Sequence, residues 1–315
     1  MARRSDAVPK VFNRCQWVNL HEALHFFGTF AGKTQSAEQI KPLHWYVASR
    51  LVLEGGFHPD DIWPRPPFTV SERNGKKLLH YDPDSANGKE RTILGGMKTK
   101  DVDVVVTKDG IGPVLAVSCK GVTGAFRNLT NRMEETIGEC TNLHITYPAL
   151  VLGYFCVIRA NRHIEAAASE VAPDIAGPTA ELAANDIAIA KGGEAVEGLI
   201  RFHAAMREMQ GRRGIRDELS RYEAIALAMV EPKGSVAGDV LDTFPPFDSP
   251  VRIENFFDTL YARYSERFVL AAPSLQTITR RIEWSTKSPV LNRDASGLPA
   301  FPELDYEPNL DEDSV

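Results

Sequence analysis

Apolar positions recur at helical spacing from about His21 to Gly56, where Leu43, Val47, Leu51 and Val52 fall on one stripe. Pro42 suits a first helical turn, and Gly55-Gly56 stops the pattern beside Glu54. Residues 57–92 are rich in Pro, Asp, Asn and Gly and read as loops with one or two short strands. The stretch from about 93 to 160 changes texture. Asp101 to Val106 alternates as a strand, Lys108-Asp109-Gly110 marks a turn, and Val114 to Cys119 is a second strand. A helix is predicted from about Ala125 to Asn142, and Pro148 to Ala160 reads as a long buried strand. Strand, hairpin, strand, helix, strand is the order of a mixed α/β core.

From about 161 to 300 the chain opens with Ala-rich, helix-friendly sequence. A stretch carrying Arg201, Arg207, Arg212, Arg213, Arg216 and Arg221 follows, interleaved with Glu208, Asp217 and Glu218, and reads as a solvated helical surface. Ile225 to Val230 is a short apolar run closed by Pro232, and Phe256 to Phe268 has the pattern of an amphipathic helix. No linker is evident, so residues 1–302 are expected to form a single elaborated domain with its core motifs at about 93–160. Residues 303–315 form an acidic tail expected to be disordered.

Composition narrows the function classes. Lys and Arg total 36 against 42 Asp and Glu, a net charge of −6 that excludes a wholly basic, histone-like binder but leaves room for a local nucleic-acid groove. At 315 residues, 43% of them hydrophobic, the chain can bury a sizeable core. No run approaches the roughly 18 apolar residues of a membrane helix. The first residues carry charge without an apolar stretch, so no secretory signal is expected. Cys15, Cys119, Cys140 and Cys156 form no Cys-x-x-Cys pair. A cytoplasmic protein is expected.

The candidate chemistry lies in the middle stretch. On a strand Asp101 and Asp103 share one face, and on the next strand Ser118 and Lys120 point together, with Cys119 opposite. On the following helix Arg127 and Glu134 lie about 20° apart, with Asn131 near them. Phe126, Leu129, Met133 and Ile137 make the stripe expected to pack on the sheet. Two carboxylates and a lysine brought together suit metal-assisted phosphodiester hydrolysis: hard oxygens hold Mg²⁺, the metal lowers the pKa of a bound water, and an ammonium steadies the phosphate. Asp101 competes with Asp103 for the ligand role, and Glu135 with Glu134.

Asp103, fourteen residues, then Ser118-Cys119-Lys120 resembles the D…(D/E)-x-K signature of the PD-(D/E)xK nuclease superfamily. The serine variant, with an acid fourteen residues beyond the lysine at Glu134, resembles a group of type II restriction endonucleases that read CCGG-containing sites. Arg127 and Arg132 match arginines on the corresponding helix. The resemblance implies a restriction-endonuclease-like mixed sheet flanked by helices, and a site-specific double-stranded DNA endonuclease of restriction-modification. By it Asp103 and Glu134 would bind Mg²⁺, with Glu54 as an additional acid. Ser118 and the adjacent backbone would complete the site, Lys120 would position the attacking water, and Arg127, Asn131 and Arg132 would face DNA. A homodimer or higher homo-oligomer follows by the same analogy. Gly124 and Phe126 replace the arginine and aspartate of that group's base-reading motif, so no target sequence is implied.

Two other classes compete. Ser118 in the place of an acid suits a DNA-binding or assembly subunit with a degenerate nuclease fold. His21-Glu22-Ala23-Leu24-His25 matches the H-E-x-x-H of zinc metalloproteases, with Glu38 or Glu54 needed as third ligand. The same residues also make an amphipathic helix with Leu20, Leu24 and Phe27 inward. Arg280-Arg281 beside Trp284 and Lys287 fits either a DNA contact or a surface ion-pair patch.

Overall fold

The computed structural model describes residues 13–32, 37–162, 183–292 and 302–311. In chain order its first elements are α1 (Leu20–Thr29), α2 (Lys41–Leu53), β1 (Ile62–Trp63), β2 (Phe68–Arg73), β3 (Lys76–Tyr81), β4 (Arg91–Ile93), β5 (Lys100–Val102) and β6 (Val104–Lys108). There follow β7 (Gly112–Val122), α3 (Leu129–Thr146), β8 (Val151–Arg159), α4 (Glu197–Glu208), β9 (Ala224–Val230), α5 (Phe256–Tyr264) and the short α6 (Gln276–Thr279). The central sheet has the order β1-β6-β7-β8-β9. β1, β6 and β7 are antiparallel neighbours, whereas β7, β8 and β9 run parallel. α3 lies between β7 and β8 in the chain and α4 between β8 and β9, as parallel neighbours require a long crossover. The expected mixed α/β sheet flanked by helices is therefore present.

The strands read as unbroken apolar runs because both sheet faces are covered. Val104, Val106, Val117 and Cys119 join one core with α1, α2 and α5. Val105, Ala116, Tyr154 and Cys156 join a second core with Leu143 of α3 and Phe202 of α4. α2 is buried almost all round, from Pro42 to Leu53, which explains why its sequence shows little amphipathic contrast. All four cysteines are free and buried. Among the described residues no helix is long and apolar enough to cross a membrane.

Several expectations need correction. The strand expected from Asp101 to Val106 is two: β5 pairs with β4, β6 pairs with β1 and β7, and Asp103 is the one-residue break between them. The tail is ordered from Pro302 to Asp311, although residues 312–315 lie outside the described residues. Tyr306 buries its ring in the α2 side of the core, and the Tyr46 hydroxyl donates to Asp305 at 2.7 Å. Asn309 N–H donates to the Leu53 carbonyl at 2.8 Å. One aromatic anchor and satisfied backbone groups thus outweigh the acidic composition. Tyr306→Ala is expected to lower the unfolding free energy by about 3 kcal/mol in a denaturant titration.

The Arg-rich stretch is not wholly a solvated surface, because Arg212 is fully buried against Glu223. Trp284 is buried and donates to the Val52 carbonyl, and the half-buried Arg281 donates to the Gly55 and Glu54 carbonyls, so both side chains tie the segment to the end of α2. Much of the Ala-rich segment, 163–182, lies outside the described residues.

Candidate active site

Asp103 is placed by backbone geometry. The register Val104 to Val117 sets it against the β7 segment Ser118-Cys119-Lys120. Its Oδ2 accepts from Cys119 N–H at 2.8 Å and from Lys120 Nζ at 3.3 Å, with Ser118 Oγ at 3.4 Å. Asp101 turns outward and accepts from the Thr92 hydroxyl on β4, so it does not compete for the site. The sequence expectation that Asp103, Ser118 and Lys120 converge is met.

The other Asp103 oxygen turns toward α2. Its Oδ1 lies 3.9 Å from His44 Nε2, and His44 Nδ1 lies 3.5 Å from Glu90 Oε1. His44 is 1% exposed, and neither ring nitrogen has a hydrogen-bond partner. A polar ring in that condition is costly unless something else binds it. His44, Glu90 and Asp103 form the one cluster of three potential metal-ligand side chains among the described residues. Lys41 pairs with Glu90. Burial opposes ionisation of Glu90, but the His44 ring and the Lys41 ammonium outweigh it and bring its carboxyl down to about 2.

On the opposite side stands α3, turned differently from the expected phase. Glu139 is nearly buried; its Oε2 lies 3.0 Å from Lys100 Nζ and 3.8 Å from Lys120 Nζ, while its Oε1 has no hydrogen-bond partner. Burial alone would lower the Lys120 pKa, yet Asp103 and Glu139 together raise it. Glu134, expected to bind metal, is exposed and outside the cleft. Ile137, expected to face the sheet, is 41% exposed, whereas Thr136, Cys140 and Leu143 are buried with Leu129. Ala125 is left-handed (φ 54°) and a tight turn over Phe126–Asn128 precedes α3, so the helix begins at Leu129 and not at Ala125.

The face that does meet the site carries Arg132, Glu135, Thr136, Glu139 and Asn142. With Lys98, Lys100, Lys120 and the buried Tyr154 they line a cleft of about 620 Å³. Asn142 holds its rim: Oδ1 accepts from Met97 and Lys98 N–H, and Nδ2 donates to the Lys98 carbonyl. Gly95 and Gly96 permit that approach, since a β-carbon would fall 2.1 Å from Asn142 Nδ2 at the first and 2.2 Å from Ile145 Cγ2 at the second. Four cations against two carboxylates give the lining of the cleft a positive balance.

Arg132 thus reaches the cleft, while Arg127 and Asn131 are exposed outside it. Glu54 is not near Asp103; it accepts two hydrogen bonds from Arg50, at 2.7 and 2.9 Å, on the last turn of α2. Glu22 closes a capping box with Asn19, His21 lies 3.4 Å from Asp239, and no three-ligand cluster forms around His21 and His25 among the described residues. Leu24 and Phe27 face inward instead.

Glu134→Gln is expected to leave any activity of the site within about threefold of wild type. Glu139→Gln is expected to lower it by about 10- to 100-fold through loss of Lys120 positioning, measured as single-turnover rates. His44, Glu90 and Glu139 were not singled out from sequence. A histidine inside a helix buried on all sides was the signal available for His44; Glu90, in a loop, offered none. Compared with family models, curated proteins and solved structures, the chain matches none.

Proposed function

We propose that this chain is a metal-dependent DNA endonuclease with a restriction-endonuclease-like core. The observation that carries the reading is the Asp103–Lys120 pair on adjoining strands, flanked by an unpartnered buried histidine with a second acid and by a cationic cleft. The chain order of α2, the antiparallel β1-β6-β7 set, α3 and parallel β8 supports the same core. Ser118 supplies no acid, but Glu90 and Glu139 bring two to the place where one is needed, which favours an active enzyme over a degenerate binding subunit.

His44, Glu90 and Asp103 would hold the cation. Two carboxylate oxygens suit Mg²⁺, and the imidazole adds a preference for a first-row transition ion such as Mn²⁺. Bound there, the ion would polarise the scissile phosphate and acidify a coordinated water. Lys120, steadied between Asp103 and Glu139, orients the attacking water and offers positive charge to the phosphate oxygens. Lys98, Lys100 and Arg132 neutralise the DNA backbone in the cleft. Double-strand cutting calls for two such sites, hence a homodimer or higher homo-oligomer. A site-specific restriction enzyme of the cytoplasm is the setting that best joins these features.

Nicking and linearisation of supercoiled plasmid test the reading. The expected result is divalent-ion-dependent cutting, faster with Mn²⁺ than with Mg²⁺ at equal concentration and abolished by EDTA. Cutting that persists in EDTA would contradict the metal role. Because phosphate contacts dominate such binding, DNA affinity should fall steeply as salt rises.

A further inference from the structure

We propose that Met97 is a wedge that opens the base stack of the bound duplex beside the phosphate met by Lys120. The inference rests on the DNA-cleavage reading above and names how that site grips its substrate.

β4 and β5 pair with each other outside the central sheet, and residues 94–99 form the tip of their ribbon. The tip carries two large apolar side chains in solvent: Leu94 is 59% exposed and Met97 66%. Their places differ. Met97 lines the cleft together with Lys120, and Leu94 does not.

The backbone beneath Met97 is fixed from several sides. Asn142, 1% exposed, accepts from Met97 and Lys98 N–H through Oδ1 and donates to the Lys98 carbonyl through Nδ2. Its own carbonyl accepts from Gly96 N–H at 2.8 Å. Gly95 and Gly96 lie so close to Asn142 and Ile145 that a β-carbon at either would clash. A buried asparagine on α3 and two glycines thus hold the tip in one shape, with an apolar side chain turned out at the cleft.

Charge decides what meets it. Lys98 and Arg132 line the same cleft and pair with no acid among the described residues. Cations around one apolar tip fit a polyanion with an apolar interior, which is the duplex: phosphates outside, stacked bases within. Methionine is among the side chains that proteins insert between base steps, and a kinked duplex presents more surface to the protein than a straight one. Its unbranched, polarisable thioether adapts to an irregular gap. Phosphate contacts at Lys98 and Arg132 offset the cost of unstacking and set the step that Met97 enters.

The test starts from the mapped wild-type cut, with a fluorescent adenine analogue placed at either base flanking the cut bond. Its emission rises when it unstacks. Stopped-flow mixing should show a severalfold rise ahead of product with wild type and with Met97→Leu, and none with Met97→Ala. Met97→Ala should cut the intact duplex about 10- to 100-fold more slowly, yet come within about threefold of wild type on a duplex with an abasic nucleotide at that step, where the stack is already open. Leu94→Ala should behave as wild type, and thermal unfolding checks that each variant is folded. Met97→Ala that cuts as wild type, or that loses rate equally on intact and abasic duplexes, would overturn the wedge while leaving the nuclease intact. Equal losses in Leu94→Ala and Met97→Ala would do the same. A wild-type chain that cuts no DNA would overturn the nuclease reading itself, and this inference with it.

Discussion

Lys120→Met is expected to slow DNA cleavage by about 10³-fold while leaving Mn²⁺ binding nearly unchanged. Asp103→Asn should lose both. The difference follows from which atoms each residue offers. Lys120 touches Asp103 through Oδ2, which Cys119 N–H still holds at 2.8 Å when the ammonium is gone, so the carboxylate keeps its orientation toward His44. What disappears is the charge that meets the phosphate. About 10³-fold corresponds to roughly 4 kcal/mol of transition-state stabilisation, a reasonable share for one ammonium in a partly dehydrated cleft. Asp103→Asn removes the anionic ligand itself and leaves Lys120 with Glu139 as its one remaining acid. Single-turnover cleavage together with a Mn²⁺ titration separates the two variants. Equal loss of metal binding in both would mean that Lys120 supports the metal site and not the reaction.

Glu223→Gln is expected to cost about 3–5 kcal/mol of stability at neutral pH. Glu223 is wholly buried, and its Oε1 receives Arg212 at 2.9 Å and Arg267 at 2.6 Å. Its Oε2 accepts from Leu152 N–H at 2.7 Å, and His144 Nε2 stands 3.6 Å away. The network ties the C-terminal end of α3 to the start of β8 and to the segment after α5, and so fixes the helix that presents Glu139. Removing the charge leaves two buried guanidinium groups without their shared acid. Burial opposes ionisation of Glu223, but the His144 ring and Arg267 outweigh it, and its carboxyl titrates below the ordinary value. The sign follows from linkage. A carboxyl with a depressed folded pKa stabilises fully above its unfolded value, near 4.3, and loses that contribution as pH falls through the folded value. The gap between wild type and Glu223→Gln should therefore be widest at neutral pH and narrow on acidification. Urea titrations across pH measure it; a gap that widens as pH falls would contradict the assignment.

How much of this was legible depended on whether the determining interactions were local. Val104 to Val106 and Val114 to Val117 announce strands because both faces are covered, and the β6–β7 pairing sets Asp103, in the break before β6, beside Ser118 and Lys120. The helix after Lys120 was legible, but its phase was not. Phe126, Leu129 and Met133 pack against the core as their spacing suggested, but Ile137 is exposed and the smaller Thr136 and Cys140 are buried beside them. Glu139, not Glu134, therefore stands beside Lys120. His44 and Glu90 reach Asp103 from distant segments, and no spacing rule links them. Glu54 matched a family expectation, yet Arg50 four residues earlier, on the same helix face, marks the pair it forms. In the tail, Asp305 and Tyr306 meet partners on α2, Tyr46 and Arg50, that are more than 250 residues away in the chain.

The central claim is that the Asp103–Lys120 site cuts DNA. Its most direct test is incubation of the wild-type chain with plasmid and phage DNA, unmodified, base-modified and single-stranded, with Mn²⁺, Mg²⁺ or EDTA, beside Lys120→Met and His25→Ala. Discrete cuts that need the divalent ion, vanish in Lys120→Met and persist in His25→Ala are the predicted result. A folded wild-type chain that binds these DNAs without cutting any of them would contradict it, and a DNA-binding role on an inactive nuclease core would then replace the enzyme.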